Sequence, residues 1–337
     1  MRNTLTKSLA SLLVLAALPC AAQNWSVVNT FHIGGTGAWD YVTIDSPGHR
    51  LFVTRATHTQ IIDTESGKVL GDITGQVRSH GVAIVPKLNR GFITDGGGKG
   101  AIIVFDLTTY AVLGSIPTMP DSDGIIYDAK QNKVLAVSGD GNALMTFSPD
   151  IDPNAGKVDT IALGGAPEFL ATDGTGKVFI NLEDKSVVAV VDLKSKSVVS
   201  RWPVAPAGSP VGMAIDSSGK HLFIGCRKPQ DLVVMGTDSG KVEAALPIGA
   251  GVDATVASAT EAFASAGDGN LTVATNNAGK WEVAQTVKTP VSARTMGIDP
   301  ATHRIYLAAA DTEPAATPGA RPKVKPDTFM IVVVGQK

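Results

Sequence analysis

An all-β protein, a seven-bladed β-propeller of four-stranded blades, is the fold class this sequence predicts. Three observations predict it: a composition of strand and turn formers, a phrase repeated seven times, and a last repeat one strand short while the N-terminus carries a spare one. The chain of 337 residues holds 36 glycines, only 5% aromatics, and much Val, Ile and Thr. That is the profile of many short strands joined by tight turns.

The repeated phrase is an apolar strand, an Asp-containing turn, and a second strand with a large apolar anchor. It reads Val42-Thr43-Ile44-Asp45…Arg50-Leu51-Phe52-Val53 in the first unit and Met296-Gly297-Ile298-Asp299…Arg304-Ile305-Tyr306-Leu307 in the last. The anchors are Phe52, Phe92, Leu135, Phe179, Phe223, Phe263 and Tyr306, spaced by 40, 43, 44, 44, 40 and 43 residues. Length alone would suggest two domains, but an all-strand period of this size means one propeller. Each unit continues into a third strand such as Gln60-Ile61-Ile62-Asp63, a hairpin turn such as Gly67-Lys68, and a fourth strand such as Val69 to Ile73.

Unit seven reaches its third strand at Phe329 to Gly335 and then the sequence ends. The missing fourth strand has a counterpart at the other terminus. Trp25-Ser26-Val27 matches Trp281-Glu282-Val283, the fourth strand of unit six, so the N-terminal strand is expected to complete the C-terminal blade. Such a join removes an exposed sheet edge.

Residues 1–22 read as a signal peptide, with Arg2 and Lys7, an apolar run from Leu9 to Leu18, and cleavage expected after Ala22. The run falls short of the ~20 apolar residues of a spanning helix, and Leu18-Pro19 is a poor approach to a lipidated Cys20. The mature propeller, 23–337, is therefore expected to be a monomer in the periplasm or outside the cell, with no membrane span. With Cys20 removed, Cys226 stands alone and reads as a half-buried small residue, with no local signature of a catalytic thiol.

The segments Leu51-Phe52-Val53-Thr54-Arg55 and Lys177-Val178-Phe179-Ile180-Asn181, each followed by a strand, an Asp and a Lys-bearing turn, resemble YVTN-type repeats. The whole mature chain resembles the YncE-like group of exported bacterial propellers. This resemblance implies the fold and export. It says little about activity, because propellers of this broader class resemble lactonases, surface-layer proteins and nucleic-acid binders alike.

Chemistry is expected on one face, where the loops entering each first strand meet those joining second and third strands. Five residues before the repeat aspartate stand Asp40, His80, Asp123, Glu168, Val211, Val252 (with Asp253 adjacent) and Arg294. Equivalent positions in a ring point alike, so Asp40, His80, Asp123, Glu168, Asp253 and Arg294, with Tyr41 beside the first, are candidate ligand-binding residues at the mouth of the central channel. Two readings stand. Acidic entry residues often cap turns in a wet, polar channel. Alternatively, Asp40, His80, Asp123 and Glu168 suit a divalent cation, and Arg294 suits a carboxylate held by paired hydrogen bonds.

Among the neighbouring loops, Arg55, His58, Arg227-Lys228 and the Gly-rich turns after Asp95, Asp140 and Asp268 are expected around the same mouth. No helix follows those glycines, which excludes a phosphate loop. The loop 311–327 carries four prolines and is expected to be extended. A net charge of −2 and four scattered Trp argue against nucleic acid. The expectation is a binding or interaction protein taking a small ligand, cation or protein partner at the mouth. The alternative is a lactonase-like hydrolase with a divalent cation there.

Overall fold

The computed structural model describes residues 24–314 and 322–337, so the signal-peptide reading lies outside the described residues. Strands dominate, and the described residues contain only two single-turn 3-10 helices, Pro86–Leu88 and Glu183–Lys185. Among the described residues, no helix is long and apolar enough to cross a membrane.

The strands form five four-stranded sheets and one of seven, all antiparallel. The larger sheet joins units one and two, because Val69–Val85 is one continuous strand. Its first half pairs with Ala56–Asp63 and its second with Arg90–Asp95. Where the sequence shows a fourth strand and the next first strand, the chain passes between them without leaving extended geometry. The first strand of each unit packs against that of the next, and Thr295–Ile298 of unit seven lies against Val42–Asp45 of unit one. This is a β-propeller.

The anchors explain why the sheets stack. All seven, from Phe52 to Tyr306, are fully buried. Trp281 meets Phe223 of the preceding unit edge-on at 4.8 Å and 73°, and Trp25 meets Phe263 at 4.8 Å and 74°. The two tryptophans matched in sequence thus do the same work, and each such buried contact is worth about 3 kcal/mol against truncation to Ala. Trp25–His32 pairs with Met330–Gln336, Trp25 opposite Gln336 and His32 opposite Met330. The Trp25 indole also donates to Glu261 Oε1 at 2.9 Å.

The repeat aspartates are structural. Asp299 accepts from Ala301 N at 2.9 Å, from Thr302 Oγ1 at 2.8 Å, and from Ser46 Oγ of unit one at 2.5 Å. Asp128 likewise caps its own turn and accepts from Thr172 of the next unit at 2.6 Å. Cys226 is fully buried rather than half-buried, and burial pushes its thiol up to about 12. It is packing, because no thiolate forms there at ordinary pH.

Candidate functional site

The first strands of units two to six carry a recurrent β-bulge, and His80, Asp123, Glu168 and Asp253 sit in it, while Asp40 and Arg294 lie just ahead of the first strands of units one and seven. Register slips between Ser79 and Val82, Ser122 and Ile125, Pro167 and Leu170, Pro210 and Met213, and Val252 and Ala254. His80, Asp123, Glu168, Val211 and Asp253 occupy the slips. A bulge frees a residue from the ladder and re-aims its side chain, which is why bulges recur beside binding sites. In unit six the aimed residue is Asp253, because Val252 keeps its ladder place opposite Ala266 and is fully buried.

A second recurrent feature fixes these bulges. Near the end of the second strand, a short polar side chain donates to the backbone carbonyl of the following unit's candidate residue. Thr54 Oγ1 reaches His80 O at 2.6 Å, Thr94 Oγ1 reaches Asp123 O at 2.6 Å, and Asn181 Nδ2 reaches Val211 O at 2.8 Å. Ser265 does the same for Arg294. The Thr and Asn of the repeated motif are therefore positioning residues for the mouth.

The mouth divides into two halves. In the first, His80 Nδ1 lies 2.6 Å from Asp40 Oδ2 and 3.5 Å from Asp123 Oδ1. One ligand atom from each of the three falls within 4.8 Å of the others. Glu168, expected as a fourth metal ligand, stands outside this group and faces Glu183 instead. Burial pushes Asp123 up to about 8, with the neighbouring carboxyls adding to the rise against the pull of His80. Burial, the charge of Asp123 and the Glu183 carboxyl push Glu168 up to about 9. Asp40 is raised as well, mainly by burial. Burial lowers the affinity of His80 for its second proton, but the bond to Asp40 and the two aspartate charges outweigh it and hold His80 above its ordinary value. Asp123 and Glu168 thus keep protons near neutrality, whereas free carboxylates would have lost them.

Tyr41 and Phe169 floor this half, their rings 4.9 Å apart. Burial first, then Asp123, Asp40, Asp253 and Glu168, hold the Tyr41 phenol well above its usual range, as expected for a hydroxyl encircled by carboxyls. The corresponding positions in units three and five are glycines. A Cβ at Gly124 would lie 3.0 Å from Glu168 O, and one at Gly212 would lie 2.8 Å from Thr255 N. Below the floor, the central channel is a cavity of about 460 Å³ lined by residues such as Val42, Ile84, Ile126, Met213 and Met296. The channel was expected to be polar, whereas its wall is mostly apolar, and its carboxyl groups stand at the mouth.

In the second half, Asp253 bridges two arginines. Arg294 Nε donates to it at 2.6 Å and Arg227 Nη2 at 2.7 Å, while Arg227 Nη1 reaches Glu183 at 3.4 Å. Trp39 lies beneath Arg294, with 5.9 Å from guanidinium carbon to ring. The role of Arg227 as a partner of Asp253, and that of Glu183 and Phe169, is tertiary and escapes a reading of single positions.

Two loop residues expected at the mouth are placed elsewhere. Arg55 is buried, lies 3.7 Å over the Phe329 ring, and donates to the carbonyls of Thr36 and Ala38. It holds the entry loop of unit one, and burial brings its guanidinium down to about 10. His58 faces Asp72 on the outer strands. Asp95 accepts from Val77 N and Arg78 N, and Asp268 from Ala250 N, so both are turn caps. The base of the Pro-rich loop is extended and antiparallel, with Thr312 bridged to Val324.

No family model matches the chain, and no curated protein matches its sequence. Solved structures do match. The structure of U3-55K aligns over 93% of this chain and 98% of its own, with a TM-score of 0.75 and 11% identity. The RRP9 WD40 repeats align over 94% and 99%, again at a TM-score of 0.75 and 11% identity. At that identity the likeness is one of fold, and it sets this chain among the β-propellers.

Proposed function

We propose that this chain is a binding propeller of the YVTN-type, YncE-like build, working as a monomer in the periplasm or outside the cell after loss of residues 1–22. Seven blades form its ring, and Trp25–His32 is the clasp. The pairing of that strand with Met330–Gln336 and the Ser46–Asp299 bond between first and last units support the closure. The entry-loop face takes the ligand or partner.

One observation carries this reading: bulges in successive units aim ionisable side chains at a common mouth, while carboxylates of the opposite face are spent on turn caps. Half-buried carboxyls carrying protons near neutrality, set over an aromatic floor, are an arrangement that folding alone does not require. A thermal-shift screen of amines, carboxylates, sugars and divalent metals against wild type and the His80→Asn/Asp123→Asn double variant tests it. Hits whose stabilisation disappears in the double variant are expected. A screen in which every hit survives the double variant unchanged, or in which there is no hit at all, contradicts a binding site at the ring.

The Asp40, His80 and Asp123 grouping favours a second reading, a lactonase-like hydrolase with a divalent cation on those three side chains. It requires the wild type to retain metal through chelation and to turn over lactones. Nil metal and nil turnover remove it.

A further inference from the structure

Beside the ring, a second cavity of about 490 Å³ opens between the entry loops of units one, six and seven and the base of the Pro-rich loop. Its walls include Trp39, Val291, Thr312 and Val324, and its charged lining is Arg227, Arg294 and the Asp253 between them. One feature of this cleft is unspent. Arg294 uses only Nε, on Asp253, and among the described residues Nη1 and Nη2 have no protein partner although the side chain lines the cleft. Trp39, almost fully buried, adds its ring to the wall. A free guanidinium edge on a mostly apolar cavity calls for an acceptor on an apolar body.

We propose that this cleft binds a small organic monocarboxylate, its carboxylate on the Nη1–Nη2 edge of Arg294 and its apolar body against Trp39 and Val291. The planar guanidinium fork matches a carboxylate in two parallel hydrogen bonds. Asp253 touches both arginines and Glu183 approaches Arg227, so a dianion would meet two carboxylates at close range, whereas a single charge is tolerated. The inference rests on the reading of the entry-loop face as the binding face, and it names a ligand class for one side of it.

The test is titration of the full mature chain with phenylacetate, phenylacetamide and inorganic phosphate, read by tryptophan fluorescence and thermal shift. Phenylacetate is expected to bind saturably, with phenylacetamide and phosphate each about tenfold weaker or worse. Arg294→Gln is expected to weaken phenylacetate about tenfold, and Trp39→Phe to abolish the fluorescence change. Arg294→Lys keeps the charge without the fork, serves if the Gln variant is unstable, and is expected to bind weakly as well. Equal binding of phenylacetate and its amide, wild-type affinity in both Arg294 variants, or no saturable response at millimolar phenylacetate overturns the proposal. The His80→Asn/Asp123→Asn variant is expected to keep phenylacetate binding. If phenylacetate fails while other ligands depend on the ring, this inference falls alone; if neither site binds anything, the face reading falls with it.

Discussion

Asp123 and Asp299 are the same side chain put to opposite uses on the two faces of the propeller. Asp299 is almost fully buried, yet two hydroxyls and a backbone N–H donate to it. Burial alone would raise its pKa, but those donors outweigh burial and hold it below the usual range. Asp216 follows the same pattern, with donors from Lys220 N, Ser218 and His221. Asp123 is half-buried with Asp40 and Glu168 nearby, has an oxygen without a hydrogen-bond partner, and is pushed up to about 8. Asp299 is the more buried of the two, yet its carboxyl is the one held low, so the supply of donors separates the two acids.

The largest expected departure is in pH dependence. Asp123 and Glu168 hold protons when folded and lose them when unfolded, so the folded state binds more protons between about pH 4 and their folded values of about 8 and 9. Stability should fall as pH rises through that window. Asp123→Asn with Glu168→Gln removes the loss, and urea unfolding should show the double variant more stable than wild type by on the order of 1–3 kcal/mol near pH 8, with little difference near pH 4. The lowered Asp216 and Asp299 run the other way. Their contribution is present above the unfolded value and is lost as pH falls through the folded one. A variant that tracks wild type across the whole range breaks the comparison.

Asp299→Ala is the next effect. It strips three donors of their acceptor and cuts a link between the first and last units, and should cost about 2 kcal/mol at neutral pH by the same unfolding measurement. The smallest is Thr94→Val, which keeps the shape but leaves Asp123 O and Gly81 N without the hydroxyl that serves both. A loss of about 1 kcal/mol is expected, with weakened binding of any ligand that depends on Asp123. A stability loss with unchanged ligand affinity would make Thr94 purely structural.

Much of this was legible in the sequence because a propeller repeats. The seven anchors align by spacing alone, and all are buried. Trp25 announces its place by matching Trp281, since both must fill the same gap against a phenylalanine. The mouth was legible only as positions. Gly81, Gly124 and Gly212, each following the residue five before the repeat aspartate, are the trace of the bulge, but Phe169 replaces that glycine in unit four and conceals it. The one-residue ambiguity at Val252 and Asp253 has the same origin, because a bulge adds a residue that a fixed spacing cannot see. Arg55 reads like a mouth residue from its loop, and only the position of Phe329, distant in sequence, explains its burial.

The central claim is that the mouth carboxyls keep their protons at neutral pH while those of the opposite face do not. Carbon-detected NMR titration of the aspartate and glutamate carboxyls, assigned with Asp123→Asn, Glu168→Gln and Asp299→Asn, measures this directly. Asp123 and Glu168 should titrate near 8 and 9, and Asp299 below the ordinary aspartate value. If all three titrate together in the ordinary carboxylate range of about 4, the two faces are alike and the account fails.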